Sequence, residues 1–285
     1  MASKSGVLYV VATPIGNLSD ITQRAVDVLQ QVDVVAAEDT RHAQKLLSHL
    51  GLKKQCMAYH DHNEAKQLEV IKERLISGQS IALISDAGTP LISDPGYPLI
   101  KALLAAELLV VPIPGASAVI TALSVAGLPT DRFVFEGFLP AKANARKQAL
   151  EALSEESRTI VWYESCHRIA ACLEDMRTVL GGDRLVTVCR ELTKRFETIH
   201  QACLEDLCQW IKQSNQQKGE FVLVVQGYDA PIDVMEEVAK KQLKVLLDYL
   251  SPSQAAAAVA QLTGVKKKKL YQTALEWREN ESTDL

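Results

Sequence analysis

The sequence has little of what marks a secreted, membrane-bound or metal-binding protein. It contains six cysteines, yet none forms a C-x-x-C pair and none has a histidine at a recognised zinc-binding spacing. We therefore expect reduced thiols and no bound metal. The apolar run near the amino terminus is broken by Pro14 and Gly16, too early for a signal peptide or a membrane span. These absences predict a cytoplasmic protein without membrane contact.

Strong positive charge and the usual nucleotide-binding signatures are also lacking. A formal net charge of −4 argues against indiscriminate coating of nucleic acid, which needs a broadly basic surface, although local basic patches remain compatible with it. The first strand-to-helix loop reads TPIGNLSD at residues 13–20, which is neither G-x-G-x-x-G nor a loop ending in G-K-[ST]. A nucleotide cofactor must therefore be held in another way.

The chain does contain apolar runs that alternate with helical patterns. Continuous apolar runs, several rich in β-branched residues, predict buried parallel strands at Val7–Ala12, Val32–Ala37, Ile81–Ser85 and Leu108–Val111. Helical spacing predicts Ile21–Gln30 capped by Asp20, Arg41–Leu50 capped by Thr40, Glu64–Ser77, and Ala116–Ala126. This alternation predicts an α/β fold.

A turn-rich stretch, Gly127–Asp131, separates a second half with its own alternation. Its predicted strands are Phe133–Phe138, Thr159–Tyr163, Leu185–Cys189, Glu197–Gln201 and Phe221–Gln226, and its predicted helices are Ala145–Leu153 and Ile169–Leu180. After a linker at Tyr228–Asp233, Met235–Trp277 is helical with interruptions at Ser251-Pro252 and Gly264. We predict α/β domains at residues 1–127 and 128–230 and a helical tail at 231–285.

The stretch ALISDAGTPLISDPGYPL, residues 82–99, contains nearly the same acidic turn twice, around Asp86 and Asp94. The first turn leaves the carboxyl end of a predicted strand, where open α/β sheets usually bind ligands. Gly88 and Gly96 allow a close backbone approach, and either carboxylate can accept hydrogen bonds from a ribose or an amine. The alternative is a pair of ordinary Asp-Gly turns without function.

A second segment that could line a ligand-binding site is PIPGASA, residues 112–118, which ends another predicted strand and opens a helix. The first amides of that helix can receive a carboxylate or another oxygen. The alternative is a plain connection in which Ser117 serves only as a helix cap.

Together these loops resemble those of the tetrapyrrole methylase family, S-adenosylmethionine-dependent enzymes built from two α/β domains with the cofactor in the cleft between them. The segments that carry the resemblance are LYVVATPIGNLSDIT (8–22), AEDTRHAQKLLSHLG (37–51), YHDHNE (59–64), LISDAGTPLISDPGYPLI (83–100), PIPGASAVITALSVAGLPTDRFVFEGFLP (112–140) and YESCHR (163–168). They are more similar to a branch that methylates the ribose 2′-hydroxyl of a cytidine in small-subunit (16S) ribosomal RNA at the decoding centre. Two departures stand out: VATPIGNLSD replaces the wider family's V-G-x-G-P-G-D, and Cys166 replaces an expected proline.

The resemblance implies where the cofactor would bind. The implied cofactor-binding residues are Pro14, Ser85, Asp86, Ala87, Gly88, Thr89, Ser117, Ala118 and Tyr163. The second acidic turn, at Asp94-Pro95-Gly96, would brace the first turn and set the start of the next helix.

A ribose hydroxyl is a weak nucleophile at neutral pH, so a carboxylate or a neutral imidazole is needed as general base. The candidates are Glu38, Asp39 and His60, with Arg41 as a bidentate phosphate ligand. From the residues alone, Glu38, Asp39 and Arg41 could equally be the capped start of a helix with surface charges. The resemblance favours a catalytic role for them. A metal at the His60-Asp61-His62 run is disfavoured because no third ligand is well spaced.

Cations that could meet RNA phosphates are Lys142, Arg146, Lys147 and Arg168, together with Lys266 and Lys267 in a helix-turn-helix-like tail. Solvated surface charge is the alternative for each of them. The resemblance further implies ribosomal RNA within the small subunit as partner, and a homodimer. Two other functions stay open: methylation of a tetrapyrrole or corrinoid precursor, and a catalytically silent RNA-binding assembly factor.

Overall fold

The computed structural model describes residues 5–213, 216–229 and 232–283. The chain divides into one compact unit that ends at Gly227 and a second that begins at Tyr228. The predicted boundary at 230/231 lies outside the described residues.

The first sheet of the larger unit has five parallel strands in the order β3-β2-β4-β1-β5. The strands are β1 (Leu8–Val11), β2 (Val34–Ala37), β3 (Gln55–Ala58), β4 (Ile81–Ile84) and β5 (Val110–Ile113). The helices between and after them are α1 (Gln23–Gln31), α2 (Thr40–His49), α3 (Glu64–Ile76), α4 (Tyr97–Ala105) and α5 (Ala118–Val125). Because every strand is parallel, the loops after all five strands leave the same edge of the sheet.

Both faces of this sheet are covered by apolar side chains, as a parallel sheet requires. Leu29 of α1 and Leu47 of α2 belong to the core on one face. Leu75 of α3 and Leu99 and Leu103 of α4 belong to the core on the other face. The two acidic turns therefore stand at the end of a rigid, fully buried β4.

Two predicted helix caps are wrong in this half. Asp20 lies in a short 3₁₀ turn, Leu18–Asp20, and the side chain of Thr22 accepts the bond from the Ala25 amide that caps α1. Thr40 is already the first residue of α2, and Asp39 is its N-cap, with its side chain accepting from the Arg41 amide. The second correction changes the role that Asp39 can have.

The second sheet follows the predicted alternation, in the order β6-β7-β10-β8-β9. Its strands are β6 (Phe133–Phe138), β7 (Thr159–Ser165), β8 (Leu185–Arg190), β9 (Thr198–Cys203) and β10 (Glu220–Val225), and its helices are α6 (Ala143–Ala152), α7 (Ile169–Leu180) and α8 (Leu204–Trp210). Only β6 and β7 are parallel neighbours, whereas β10 and β8 run antiparallel to theirs. The predicted boundary at residue 127 falls between the last strand of the first sheet and the first strand of the second.

Helix α5 joins the two sheets. Val119 and Leu123 share one apolar cluster with Val161 of β7 and Val222 of β10. The carbonyl oxygen of Ala126 accepts hydrogen bonds from the Thr187 hydroxyl at 2.7 Å and from Gln201 Nε2 at 2.7 Å. The sheets are therefore fixed against each other along α5, the helix that PIPGASA opens.

The second unit contains α9 (Ile232–Leu247), α10 (Pro252–Thr263) and α11 (Lys267–Thr283). Both predicted interruptions are confirmed: Ser251 and Gln254 form a capping box before α10, and Gly264 ends it at φ +72°. Small side chains of α10, Ala255 and Ala256, pack with Leu243 and Leu270 in its core. No helix in the described part of the chain is both long and apolar enough to cross a membrane.

Candidate functional site

A cleft of about 410 Å³ opens between the two sheets of the larger unit. The loop after β4 contributes Asp86, Ala87, Gly88, Thr89, Ile92, Ser93 and Asp94, the start of α5 contributes Ser117 and Ala118, and the second sheet contributes Phe138, Tyr163, Glu164, Ser165 and Cys166 among others. Most of the predicted cofactor residues are thus brought together on its wall. Pro14 and Ser85 are buried and are absent from the lining.

The first acidic turn is fixed to the end of β1. The Thr13 amide donates to the Gly88 carbonyl oxygen at 2.8 Å, and the Gly88 amide returns a bond to Thr13 at 3.0 Å. Gly88 has φ +81°, and an added Cβ would press on Ile15 at 3.3 Å. The Thr89 hydroxyl donates to the Ala116 carbonyl oxygen at 3.0 Å, which ties this turn to the start of α5. Two walls of the cleft are therefore one connected structure.

The second acidic turn leads directly into α4. Gly96, with φ +135°, stands at the N-cap position of α4. Its neighbour Asp94 lines the cleft, and burial raises the pKa of that carboxyl, with the negative charge of Asp86 adding to the rise and hydrogen bonding from Ser85 opposing it. The repeated turn thus places two carboxylates at one cleft.

Asp86 is held from both sides by the start of α2. Its Oδ1 accepts from the Asp39 amide at 3.1 Å, and its Oδ2 lies 3.1 Å from His42 Nδ1. Sequence reasoning missed His42. Its place in the first turn of a helix that leaves the ligand-binding edge of the sheet was the available signal, because a side chain there lies near the loops after the neighbouring strands.

Glu38, the first residue after β2, is half-buried near this carboxylate group. Burial raises the pKa of Glu38, and the charges of Asp94, Asp86 and Asp61 raise it further, whereas a backbone hydrogen bond at Asp86 lowers it. A carboxylate with a raised pKa is a stronger base at neutral pH than an ordinary glutamate.

Asp39 and Arg41 form a pair at the surface. The Arg41 Nη2 to Asp39 Oδ2 distance is 2.5 Å, and the Arg41 side chain is 85% exposed. Hydrogen bonds from Arg41 hold the pKa of Asp39 far below its usual range. Asp39 is therefore a weak base. Its side chain caps the start of α2, and its amide holds Asp86.

His60 lies in the loop after β3, at the same edge of the sheet, and is absent from the cleft lining. Its amide donates to Asn63 Oδ1 at 2.9 Å, and its Nε2 lies 3.3 Å from Asn63 Nδ2. Its Nδ1 is buried without a hydrogen-bond partner in the described part of the chain. His60 and Glu38 thus lie at the same edge of the sheet, and neither lines the cleft.

The far wall of the cleft comes from the second sheet and is aromatic and acidic. Tyr163 packs edge-on against Phe135 and Phe138, with ring centroids 5.0 and 5.4 Å apart. Burial raises the pKa of Tyr163 to about 12, and the charge of Asp94 contributes to the rise. The tyrosine therefore stays protonated at neutral pH.

Glu164 is buried in the same wall. Its Oε1 lies 2.8 Å from Arg168 Nη2 and accepts the Ser165 amide at 2.7 Å. Its Oε2 is buried with no N–H or O–H donor in the described part of the chain, and the weakly donating thiol of Cys172 lies against the carboxylate. The Glu164 side chain is fully buried and faces this thiol, so the carboxylate holds Arg168 rather than a ligand.

The described residues that line the cleft include four carboxylates, Asp86, Asp94, Glu164 and Glu220, and no lysine, arginine or histidine. Such a lining favours a ligand that carries positive charge and disfavours a bare phosphate.

The predicted RNA-binding cations of the second domain do not share one environment. Arg146 is 4% exposed, and its Nε and Nη2 lie 2.7 and 2.6 Å from Asp175 Oδ2. The structure thus makes Arg146 a core residue rather than a surface contact, because Asp175 provides a buried partner from α7. Lys142 is exposed and Lys147 is partly exposed, and Arg168 is largely committed to Glu164.

In the second unit, Lys266 precedes α11 and Lys267 begins it, and both are exposed. Lys269, one turn further on, pairs with Glu236 of α9. Among the described residues, the start of the last helix thus carries three exposed lysines without a carboxylate partner, Lys266, Lys267 and Lys268.

Comparison with known families agrees with this architecture. A model of the Tetrapyrrole (Corrin/Porphyrin) Methylases matches residues 7–208. The chain belongs to the tetrapyrrole methylase family. A second model, described as the RsmI C-terminal HTH domain, matches residues 233–278, which cover most of α9 to α11.

Similar proteins cover nearly the whole chain. Ribosomal RNA small subunit methyltransferase I of Escherichia coli O157:H7 is 52% identical over 96% of both chains. The protein of the same name in Haemophilus influenzae is 51% identical over 96% of this chain and 98% of its own.

Solved structures of the family share the fold at low identity. A cobalt precorrin-4 methyltransferase is 18% identical with a TM-score of 0.59, covering 76% of this chain and 94% of its own. A uroporphyrin-III C-methyltransferase from Thermus thermophilus, complexed with S-adenosyl homocysteine, is 16% identical with a TM-score of 0.53, covering 77% and 97%.

Proposed function

We propose that the protein transfers a methyl group from S-adenosylmethionine to ribosomal RNA, specifically to the ribose 2′-hydroxyl of a cytidine in 16S RNA at the decoding centre. The observation that carries the proposal is the identity of 52% to a ribosomal RNA small subunit methyltransferase over 96% of both chains. Because the match covers 96% of both chains, it includes the helical second unit.

The described cleft fits S-adenosylmethionine by charge and by hydrogen bonding. Asp86 and Asp94 can meet a sulfonium and an ammonium group and can accept hydrogen bonds from an amine. When bound, the cofactor supplies an electrophilic methyl group and a neutral leaving group. The binding loop then comprises Asp86–Thr89, with Ser117, Ala118 and Tyr163 opposite, while Ser85 and Pro14 support it from below.

Glu38 is the general base in this proposal. Its raised pKa equips it to take the proton from the 2′-hydroxyl as the oxygen attacks the methyl carbon. Asp39 holds the Asp86 carboxylate through its amide, and Arg41, exposed at the same edge, grips a substrate phosphate. His60, in the loop after β3 at the same edge of the sheet, orients the ribose.

RNA phosphates meet cations outside the acidic cleft. Lys142 stands at the N-cap of α6 and Lys147 lies within that helix, whereas Lys266 precedes α11 and Lys267 begins it in the second unit. The similarity of the tail to a helix-turn-helix domain supports its contact with nucleic acid.

The protein works in the cytoplasm on the small ribosomal subunit, as a homodimer. Apolar side chains that are more than half exposed on α4 and α5, namely Tyr97, Leu104 and Ile120, support a contact between two copies.

Methylation of purified small subunits tests the proposal. Subunits from cells that lack this protein are incubated with it and with cofactor carrying a labelled methyl group. Ribose methylation makes the labelled position resistant to alkaline cleavage, so the expected result is one resistant cytidine linkage. Asp86→Ala, with reduced cofactor affinity in calorimetry, is the matched inactive variant. Label on a base, label on the ribose of a nucleotide other than cytidine, or no transfer would contradict the proposal.

A further inference from the structure

A second cavity, of about 650 Å³, lies beside the cofactor cleft. It lies between the loop that joins β8 to β9 and the residues that lead into β10, and Gly219 lines both cavities. We refer to Arg190, Arg195, Phe196, Gln216, Lys218 and Gly219 as the Phe196 pocket.

The floor of the Phe196 pocket is preformed. The Arg190 side chain donates from Nε to the Lys218 carbonyl oxygen at 2.6 Å and from Nη1 to the Phe196 carbonyl oxygen at 3.3 Å. Gly219, at φ +101°, packs so closely on Glu191 that an added Cβ would lie 2.5 Å from its Cγ. Binding therefore requires little ordering of the backbone.

The acidic residues at the rim already have partners. Glu191 Oε1 accepts from the Glu220 amide and from Lys194 Nζ, both at 2.9 Å. Glu197 Oε2 accepts from the Thr193 amide at 2.6 Å. Arg195 and Lys218 have no carboxylate partner among the described residues. Two free cations thus face this cavity.

The pocket also offers an aromatic surface and an unused acceptor. Phe196 is 63% exposed, and the Arg195 guanidinium lies 5.5 Å from its ring centroid. Gln216 Oε1 is buried without a hydrogen-bond partner in the described part of the chain. An exposed ring stacks with a nucleobase, an amide oxygen accepts from a base amino group, and free cations meet phosphates.

We propose that the Phe196 pocket binds an unpaired nucleotide of the RNA substrate that flanks the methylated one. Its base stacks on Phe196, its exocyclic amine donates to Gln216 Oε1, and its phosphate lies near Arg195 and Lys218. The proposal rests on the proposed function, because it needs RNA in the adjoining cleft.

Steady-state methylation of small subunits lacking the mark tests the pocket. A stacked base corresponds to about a 5- to 150-fold change in affinity. Phe196→Ala should raise the KM for subunits by that factor and leave kcat and the cofactor Kd unchanged, and Phe196→Tyr should restore the wild-type KM. Arg195→Ala should raise KM and lower the salt dependence of subunit binding.

The control variants are Phe133→Ala, an exposed ring at the other end of β6 from the cleft residue Phe138, and Arg24→Ala, an exposed cation on α1. Neither should change KM. An unchanged KM in Phe196→Ala, or a loss of cofactor binding along with subunit binding, overturns the proposal. If only Arg195→Ala weakens binding, the pocket meets phosphate alone and the nucleobase contact is refuted. Inactive wild-type protein would instead contradict the proposed function.

Discussion

Replacing Arg146 with methionine should destabilise the larger unit, because it leaves the Asp175 carboxylate without its main cation. The two side chains are 5% and 12% exposed, and two nitrogens of Arg146 lie within 2.7 Å of Asp175 Oδ2. Arg146 Nη1 also donates to the carbonyl oxygens of Pro140 and Ala141, at 3.4 and 3.2 Å. Those acceptors lose their donor in the variant.

The burial of this pair determines how much unfolding free energy the substitution removes. Removing one partner of a buried ion pair costs about 3–5 kcal/mol, mostly through the uncompensated charge that remains. In a unit of this size each kcal/mol lowers Tm by about 2–4 °C, so Arg146→Met should lower it by about 6–20 °C.

Urea and thermal unfolding, followed by circular dichroism, measure this effect. The control is Lys147→Met on the same helix, whose Nζ lies 3.5 Å from Asp175 Oδ1 and whose side chain is 42% exposed. That exposed contact should contribute about 0–1 kcal/mol. The double variant Arg146→Met/Asp175→Leu should recover most of the stability. If Arg146→Met unfolds like Lys147→Met but binds subunits more weakly, Arg146 is an RNA contact and the reasoning fails.

Three further outcomes are expected. Glu38→Gln should lower kcat by about 10²- to 10⁴-fold without changing the cofactor Kd. The wild-type rate should fall as pH decreases through the raised pKa of Glu38. If the same fall at low pH persists in Glu38→Gln, Glu38 is not the base. His42→Ala should weaken cofactor binding about 2- to 10-fold in calorimetry by releasing Asp86, whereas His49→Ala, at the other end of α2, should not. S-adenosyl homocysteine should slow maleimide labelling of Cys166, which lines the cleft. Mass spectrometry measures the labelling, with Cys166→Ser as the control. Equal labelling rates with and without S-adenosyl homocysteine would place the ligand elsewhere.

The sequence predicts most of the fold because buried strands carry their signal locally. The runs at β1, β2, β4 and β6 are recovered within a few residues. Strand β3 is missed because it is an edge strand, only partly buried, and opens with an exposed Gln55. The cap of α1 is misassigned because a 3₁₀ turn takes up Asp20, which no helical periodicity reveals.

The candidate site divides in the same way. The meeting of the loops after β4 and β5 is predictable because parallel strands deliver their carboxyl ends to one edge, so Asp86 and Ser117 come together without any knowledge of tertiary contacts. The environment of Arg146 is not predictable, because its partner Asp175 lies on another helix and decides between a surface cation and a core ion pair. The Phe196 pocket likewise depends on Gly219 packing against Glu191, from a distant part of the chain.

The charge of the cleft constrains how RNA can approach it. Carboxylates at Asp86 and Asp94, with Glu38 close by, suit a sulfonium and an amine but repel a phosphodiester. In the proposed function, the sugar edge of the target nucleotide would therefore enter the cleft and its phosphates would stay outside, where Arg41 and the Phe196 pocket would provide cations. A ribose hydroxyl that reaches inward from a backbone held outside is consistent with both the acidity of the cleft and the basic residues around it.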